Sequence, residues 1–169
     1  MTEELVQLLD GNNETIGVME KMQAHREGAL HRAVSVFVFN SKGEMLLQQR
    51  AAGKYHSPGL WSNACCTHPR PGEEPLKAAE RRLQEEMGIE CSLEYKFDFL
   101  YKAELGNGLT EHEYDHIYYG YTNEKPVPDN NEVVAWSYLS MDELDNRLRE
   151  QPAKFTVWFH LLFGQLKHR

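Results

Sequence analysis

Two groups of side chains in this sequence have the types and the spacing to do chemistry. The first is Arg81-Arg82-Leu83-Gln84-Glu85-Glu86-Met87-Gly88-Ile89, approached through Thr67-His68-Pro69-Arg70-Pro71-Gly72-Glu73. Acids clustered on one helical turn can hold a hard divalent cation, and that cation can bridge to a diphosphate. A plainer account also stands: Arg82 and Glu86 are four apart and could form a solvated ion pair. The second group is His25, His31, His68, Glu111 and Glu113. Glu111 and Glu113 are two apart on a strand, so both carboxylates reach one face, while His112 between them faces away. Imidazoles with carboxylates suit a borderline divalent ion such as Zn2+ or Mn2+, and five such side chains approach octahedral geometry. Taken singly, each histidine is equally at home in a satisfied core or surface position. Cys66 sits two residues before His68, in a loop that leads to the acidic helix, and those surroundings favour a titratable thiol. Cys65 competes for that role; Cys91, beyond the helix, has no such neighbourhood. Phe155, Trp158 and Trp61 read most simply as core, although an aromatic face also stabilises a buried cation.

The elements that must position these groups follow from the residue pattern. Between Leu5 and Glu20 two short apolar runs flank Gly11-Asn12-Asn13, a hairpin signal. His31–Asn40 is apolar on both faces, which predicts a central strand buried on two sides. Ser41-Lys42-Gly43 turns the chain into a returning strand at Glu44–Arg50. Ala51–Pro71, with two glycines and three prolines, reads as a long loop, and a loop of that length in one domain is usually functional. Pro75 can open a helix and Gly88 can close it, with Leu76, Ala79, Leu83 and Met87 on its apolar stripe. Strands are predicted at Leu93–Glu104, Glu113–Tyr121 and Val133–Leu139. Ser140 and Glu143 form a capping box for a helix ending near Gln151. A last helix carries the stripe Phe155, Trp158, Phe159, Leu162, Phe163 and Leu166. This order predicts an α/β (α+β) sandwich.

The 169 residues suit one domain over 1–169, with no repeat or linker that would divide them. Eighteen Lys+Arg against 26 Asp+Glu give a net charge of −8 with no basic run, which argues against nucleic acid or an anionic membrane as partner. A local basic pocket for phosphate remains compatible with that balance. No segment has the roughly 20 apolar residues of a membrane span, and the acidic start lacks the pattern of a signal peptide. Three cysteines, an odd number, favour reduced thiols and a cytoplasmic setting.

The acidic helix resembles the Nudix signature: Glu73, Arg81, Leu83, Glu85, Glu86, Gly88 and Ile89 fall in register. Thr67 stands where that signature has its first Gly, and Arg82 where it has the acid following Arg. An Arg at that point suits holding a phosphate oxygen better than completing a hydrolytic metal site. Together with Gly59-Leu60-Trp61-Ser62-Asn63, Cys66-Thr67-His68-Pro69 and Glu111-His112-Glu113-Tyr114-Asp115, the chain resembles the type 1 isopentenyl-diphosphate isomerases over nearly its whole length. The resemblance implies a Nudix-like α/β/α sandwich with a mixed central sheet. It implies interconversion of isopentenyl and dimethylallyl diphosphate by protonation and deprotonation through a tertiary carbocation, in isoprenoid biosynthesis. Cys66 and Glu113 would be the catalytic pair. Tyr101 would support Glu113 as proton donor to the alkene, Cys66 would act as base at C2, and Trp158 would face the cation. His25, His31, His68, Glu111 and Glu113 would hold one Mn2+ or Zn2+. Glu86 and the Cys66 carbonyl would hold Mg2+ on the diphosphate, and Lys21, Arg50, Lys54 and Arg82 would grip the phosphates. A monomer is the expected form, with a dimer as the alternative. Two other functions compete: a Nudix diphosphate hydrolase and a non-catalytic metal-binding module.

Overall fold

The computed structural model describes residues 4–54 and 56–167; residues 1–3, 55, 168 and 169 of the domain expected over 1–169 lie outside them. The spine is β3 (His31–Phe39), whose burial alternates between two cores. Phe37 faces one hydrophobic cluster, and Val34, Val36 and Val38 face the other. A strand apolar on both sides must be covered on both sides, and it is. On one face lies α2 (Pro75–Met87), which packs Ala79, Leu83 and Met87 against the valines. On the other lie α3 (Met141–Glu150) and α4 (Val157–Lys167), which bring Leu144, Phe159 and Leu162 to Phe37 and Ile117. The α/β/α sandwich is therefore the observed architecture.

Pairing along β3 makes the sheet mixed. One edge runs parallel to β8 (Leu109–Tyr121), in register from His31↔Glu113 to Phe39↔Tyr121. The other edge is shared by three antiparallel strands. β1 (Leu5–Leu9) meets it at His31, β6 (Cys65–Thr67) spans Val34–Val36, and β4 (Met45–Arg50) meets it at Phe39. β2 (Thr15–Glu20) completes the hairpin with β1 around Gly11-Asn12-Asn13. β5 (Trp61–Asn63) and β9 (Val133–Leu139) flank β4, and β7 (Leu93–Gly106) lies antiparallel to β8.

The structure departs from the predicted elements in four places. The long loop expected over Ala51–Pro71 contains β5 and β6, because its backbone groups find partners on β4 and β3. β8 begins at Leu109, earlier than the strand predicted from Glu113, so Glu111 also lies on it. Phe155 precedes α4, after a 3-10 turn at Pro152–Lys154, although its ring stays in the core. A helix absent from the prediction, α1 (Lys21–Glu27), follows β2. Glu20 caps it by accepting from the Met22 and Gln23 N–H groups, and Gly28 closes it at φ 66°. Among the described residues, no helix is long and apolar enough to cross a membrane.

Candidate active site and metal centre

Strand register decides which side chains meet. His31 pairs with Glu113, and Glu113 with Tyr101 of β7, so the three stand abreast on the α4 face of the sheet. Glu111 and Asp115, two residues either side of Glu113, share that face. Cys66 pairs with Ser35, placing its Sγ 3.4 Å from the Ser35 hydroxyl. Cys65 must then point the opposite way, and its thiol donates to Glu86 of α2 at 3.0 Å. Alternation thus turns Cys66 toward the cavity and Cys65 toward α2. α1 brings His25 up beside Glu111, with Nε2 3.7 Å from the carboxylate.

The three histidines and Glu113 converge, and Glu111 adjoins them through His25 in a second group with His56. His31 Nε2 and His68 Nε2 lie 3.0 and 2.8 Å from Glu113 Oε2. The ligand atoms of His25, His31, His68 and Glu113 all fall within 4.8 Å of one another. His25 donates Nδ1–H to the Lys21 carbonyl at 2.7 Å and His31 donates Nδ1–H to the Ala29 carbonyl at 2.8 Å. Those bonds anchor Nδ1 and turn Nε2 toward carboxylate oxygen. A proton or a divalent cation between nitrogen and oxygen satisfies such a contact, and an Nδ1–H held on a backbone carbonyl is the outer-shell pattern that metal-bound imidazoles use. The residues present therefore fit a divalent metal. His112, predicted to face away, donates Nδ1–H to the Gly28 carbonyl at 3.1 Å on the far side.

The protonation states reflect the same crowding. Burial opposes ionisation of Glu113, but the hydrogen bonds from His31 and His68 outweigh it and hold the carboxyl well below its usual range. Burial and the neighbouring Glu113 charge push Glu111 up. Burial pushes His31 down, yet Glu113 more than compensates and raises it, whereas burial wins at His68 and lowers it to about 4. Burial, then the Asp115 charge, raises Cys66, so the titratable thiol expected from the sequence is held as a protonated thiol. Tyr101 donates to Glu113 at 2.7 Å and lies 3.0 Å from Glu111.

A cavity of about 520 Å³ opens onto this face. Cys66, Glu113, Tyr101 and Trp158 line it, as do His68 and Glu111. The cations Lys21, Arg50, Lys54 and Arg82 line it too, with Glu86. Several of these cations already have partners: Arg82 donates to Glu132 at 2.6 Å and stands 3.6 Å from Glu86, Lys54 is 3.7 Å from Glu132, and Lys21 pairs with Glu4. Burial raises Glu86, although Arg82 opposes it. Arg50 lies 5.2 Å over the Trp158 ring. His25 and His31 are fully buried and do not line the cavity.

Three residues that sequence reasoning did not single out belong to the site. Asp115 is fully buried and accepts from Ser35 at 2.6 Å, so Ser35 links it to Cys66. Its place in step with Glu111 and Glu113 was a signal that the strand period carried. His56, in the loop after β4, is buried 3.6 Å from Glu111. Burial and the Arg50 charge push it down to about 2. A lone histidine in a loop carries no periodic mark, so nothing in the sequence pattern pointed to it.

Comparison with known proteins agrees with this geometry. The NUDIX domain model matches residues 29–159. An isopentenyl-diphosphate Delta-isomerase of Pectobacterium atrosepticum is 52% identical over 161 residues, covering 95% of this chain and 90% of that protein. A protein of the same name from Burkholderia multivorans is 49% identical over 160 residues, covering 95% and 91%. Among solved structures, a Deinococcus radiodurans protein superposes with a TM-score of 0.81 at 19% identity, over 96% of this chain and 98% of that one. A MutT protein of Methanosarcina mazei does so with a TM-score of 0.67 at 19% identity, over 82% and 94%. At that identity the structural likeness concerns the fold alone.

Proposed function

The chain belongs to the NUDIX-domain family and, within it, to the isopentenyl-diphosphate Delta-isomerases, and on that premise we propose that it interconverts isopentenyl and dimethylallyl diphosphate. The observation that carries this reading is one cavity lined by a thiol, a tyrosine-supported carboxylate, an indole face and six Lys and Arg side chains, Lys21, Arg50, Lys54 and Arg82 among them. The reaction needs those parts. Protonation of the terminal alkene carbon gives a tertiary cation, and loss of a proton from C2 moves the double bond. An acid and a base must therefore act on a hydrocarbon shielded from water. Cys66 and Glu113 are that pair, and Tyr101 holds a proton at Glu113 Oε1. Trp158 offers a π face to the cation without a nucleophile that would trap it.

The direction of each turnover sets the roles. With Glu113 and Tyr101 donating to the alkene and Cys66 taking the C2 proton, turnover leaves a thiol and a carboxylate. Those are the states that burial and the histidines favour here. The resting pair is thus charged for the reverse direction, and exchange with solvent resets it for the forward one.

Two cation sites support the chemistry. His25, His31, His68, Glu111 and Glu113 would hold Mn2+ or Zn2+, which fixes the carboxylates in place. Glu86, with the Cys66 carbonyl, would hold Mg2+, which neutralises charge on the diphosphate when bound. Lys21, Lys54 and Arg82 grip the phosphates by exchanging their carboxylate partners for phosphate oxygens, and Arg50 joins them from beside Trp158. We further read residues 1–169 as one domain that works as a cytoplasmic monomer on this small substrate, without nucleic acid or membrane; the net charge of −8 supports that reading. Hydrolysis of a diphosphate is the competing activity, and Arg82 in place of an acid on α2 counts against it.

Proton NMR of the Mg2+-loaded protein with isopentenyl diphosphate in D2O tests the proposal. Dimethylallyl methyl signals with deuterium incorporation are expected, and Cys66→Ser and Glu113→Gln should both abolish turnover. An unchanged substrate spectrum from folded, metal-filled protein, with phosphate released from other diphosphates, would overturn it in favour of the hydrolase.

A further inference from the structure

We propose that His56 is a sixth protein ligand of the His/Glu metal centre and closes its coordination shell. The inference rests on the centre formed by His25, His31, His68, Glu111 and Glu113. Those five side chains leave one octahedral position to fill. His56 Nε2 lies 3.6 Å from Glu111 Oε1, essentially the separation of 3.7 Å that His25 Nε2 keeps from the same oxygen. The ligand atoms of His25, His56 and Glu111 fall within 4.8 Å of one another, and all three residues are buried. The two imidazoles stand 5.6 Å apart between ring centres. The His56 ring is held edge-on against Trp158 at 5.3 Å, so its direction is set by packing and not by chance.

A shell filled by six protein atoms has no place for water, and a closed site is structural where an open one is catalytic. On this geometry the metal holds carboxylates and generates no metal-bound nucleophile. It also connects the metal to the substrate cations. Arg50, at the end of β4, donates to the His56 carbonyl at 3.2 Å and covers the Trp158 ring, so loading the centre anchors the loop that carries Lys54 against Arg50.

The test uses protein with Glu86→Gln, so that the helix carboxylate cannot take a second ion, loaded with one equivalent of Mn2+. Water-proton relaxation reports water bound to Mn2+, and chelator competition reports affinity. With His56 present, relaxation should show no bound water. His56→Ala and His56→Asn should each admit a water and weaken Mn2+ binding by about tenfold or more, with unchanged circular dichroism. Equal relaxation and equal affinity with and without His56 would overturn the inference while leaving the five-residue centre standing. Failure of the protein to bind one equivalent at all would overturn both.

Discussion

Tyr101 shows how much one proton can decide. Its hydroxyl sits between two buried carboxylates, 2.7 Å from Glu113 and 3.0 Å from Glu111, and it has a single proton to give. The shorter contact directs that proton to Glu113, the carboxylate we propose as the acid toward the alkene. Tyr101→Phe removes the donor while keeping the ring stacked on Phe99, so packing survives. Turnover should fall by about a hundredfold, the scale of a lost general-acid contribution. The KM for the diphosphate should stay within about threefold, since Tyr101 is no phosphate ligand. Steady-state kinetics separates the two, and a raised KM at unchanged kcat would move Tyr101 from proton handling to binding. Part of this scale was legible beforehand: His25, His31, His68 and Glu113 lie together, and Cys66, Tyr101, Glu111 and Glu113 line one cavity. Ser35 and Asp115 were not, because their roles come from strand pairing across 80 residues.

The elements hold these residues through their ends and seams. α2 delivers Glu86, and its last carbonyls are satisfied by a passing strap: Val127 N–H donates to Met87 at 2.8 Å and Asp129 N–H to Glu86 at 2.9 Å. Gly88 closes the helix at φ +65°, where a Cβ would stand 2.5 Å from the Val127 carbonyl oxygen. Gly88→Ala should therefore cost about 2–4 kcal/mol, combining left-handed strain with displacement of the strap. Urea unfolding checks it, and a cost under about 1 kcal/mol would mean the strap yields freely. The seam between β3, β7 and β8 carries a pH dependence. His116 donates Nδ1–H to Asp98 at 2.7 Å and accepts from Arg32 at Nε2, which requires the neutral imidazole. Burial pushes His116 below its ordinary 6.5, more than Asp98 pulls it up. A histidine lowered by folding stabilises fully above its unfolded pKa and loses that contribution as pH falls from 6.5 toward the folded value. His116→Asn should flatten that slope in melts from pH 7.5 down to 5, and parallel curves would refute the assignment. Pattern alone predicted α2, the hairpin and β9, whose periods are long or whose turns are marked. It missed α1, only seven residues long, and it missed β5 and β6, whose three-residue pairings exist only through distant partners.

At the scale of the molecule, the proposed metal centre would tie together parts that the chain order keeps apart. His25 comes from α1, His31 from β3, His68 from the segment after β6, and Glu111 and Glu113 from β8. Without an ion, this assembly gathers buried imidazoles and carboxylates whose desolvation low dielectric makes costly. An ion bound only by the folded state stabilises it by RT ln(1 + [L]/Kd), about 2.7 kcal/mol at a hundred times Kd. For a chain of this length each kcal/mol moves Tm by roughly 2–4 °C. Stripping the metal should therefore lower Tm by about 5–10 °C while the apolar clusters on the two faces of the sheet keep the protein folded at room temperature. Turnover should vanish with the ion and return when Mn2+ or Zn2+ is restored, because Glu113 and Tyr101 depend on the centre for their placement. Circular dichroism melts and the NMR assay, run before chelation, after it and after reloading, check the two effects together. A Tm indifferent to chelation would place the binding energy elsewhere. A lowered Tm with undiminished turnover would make the ion a brace for the fold and nothing more.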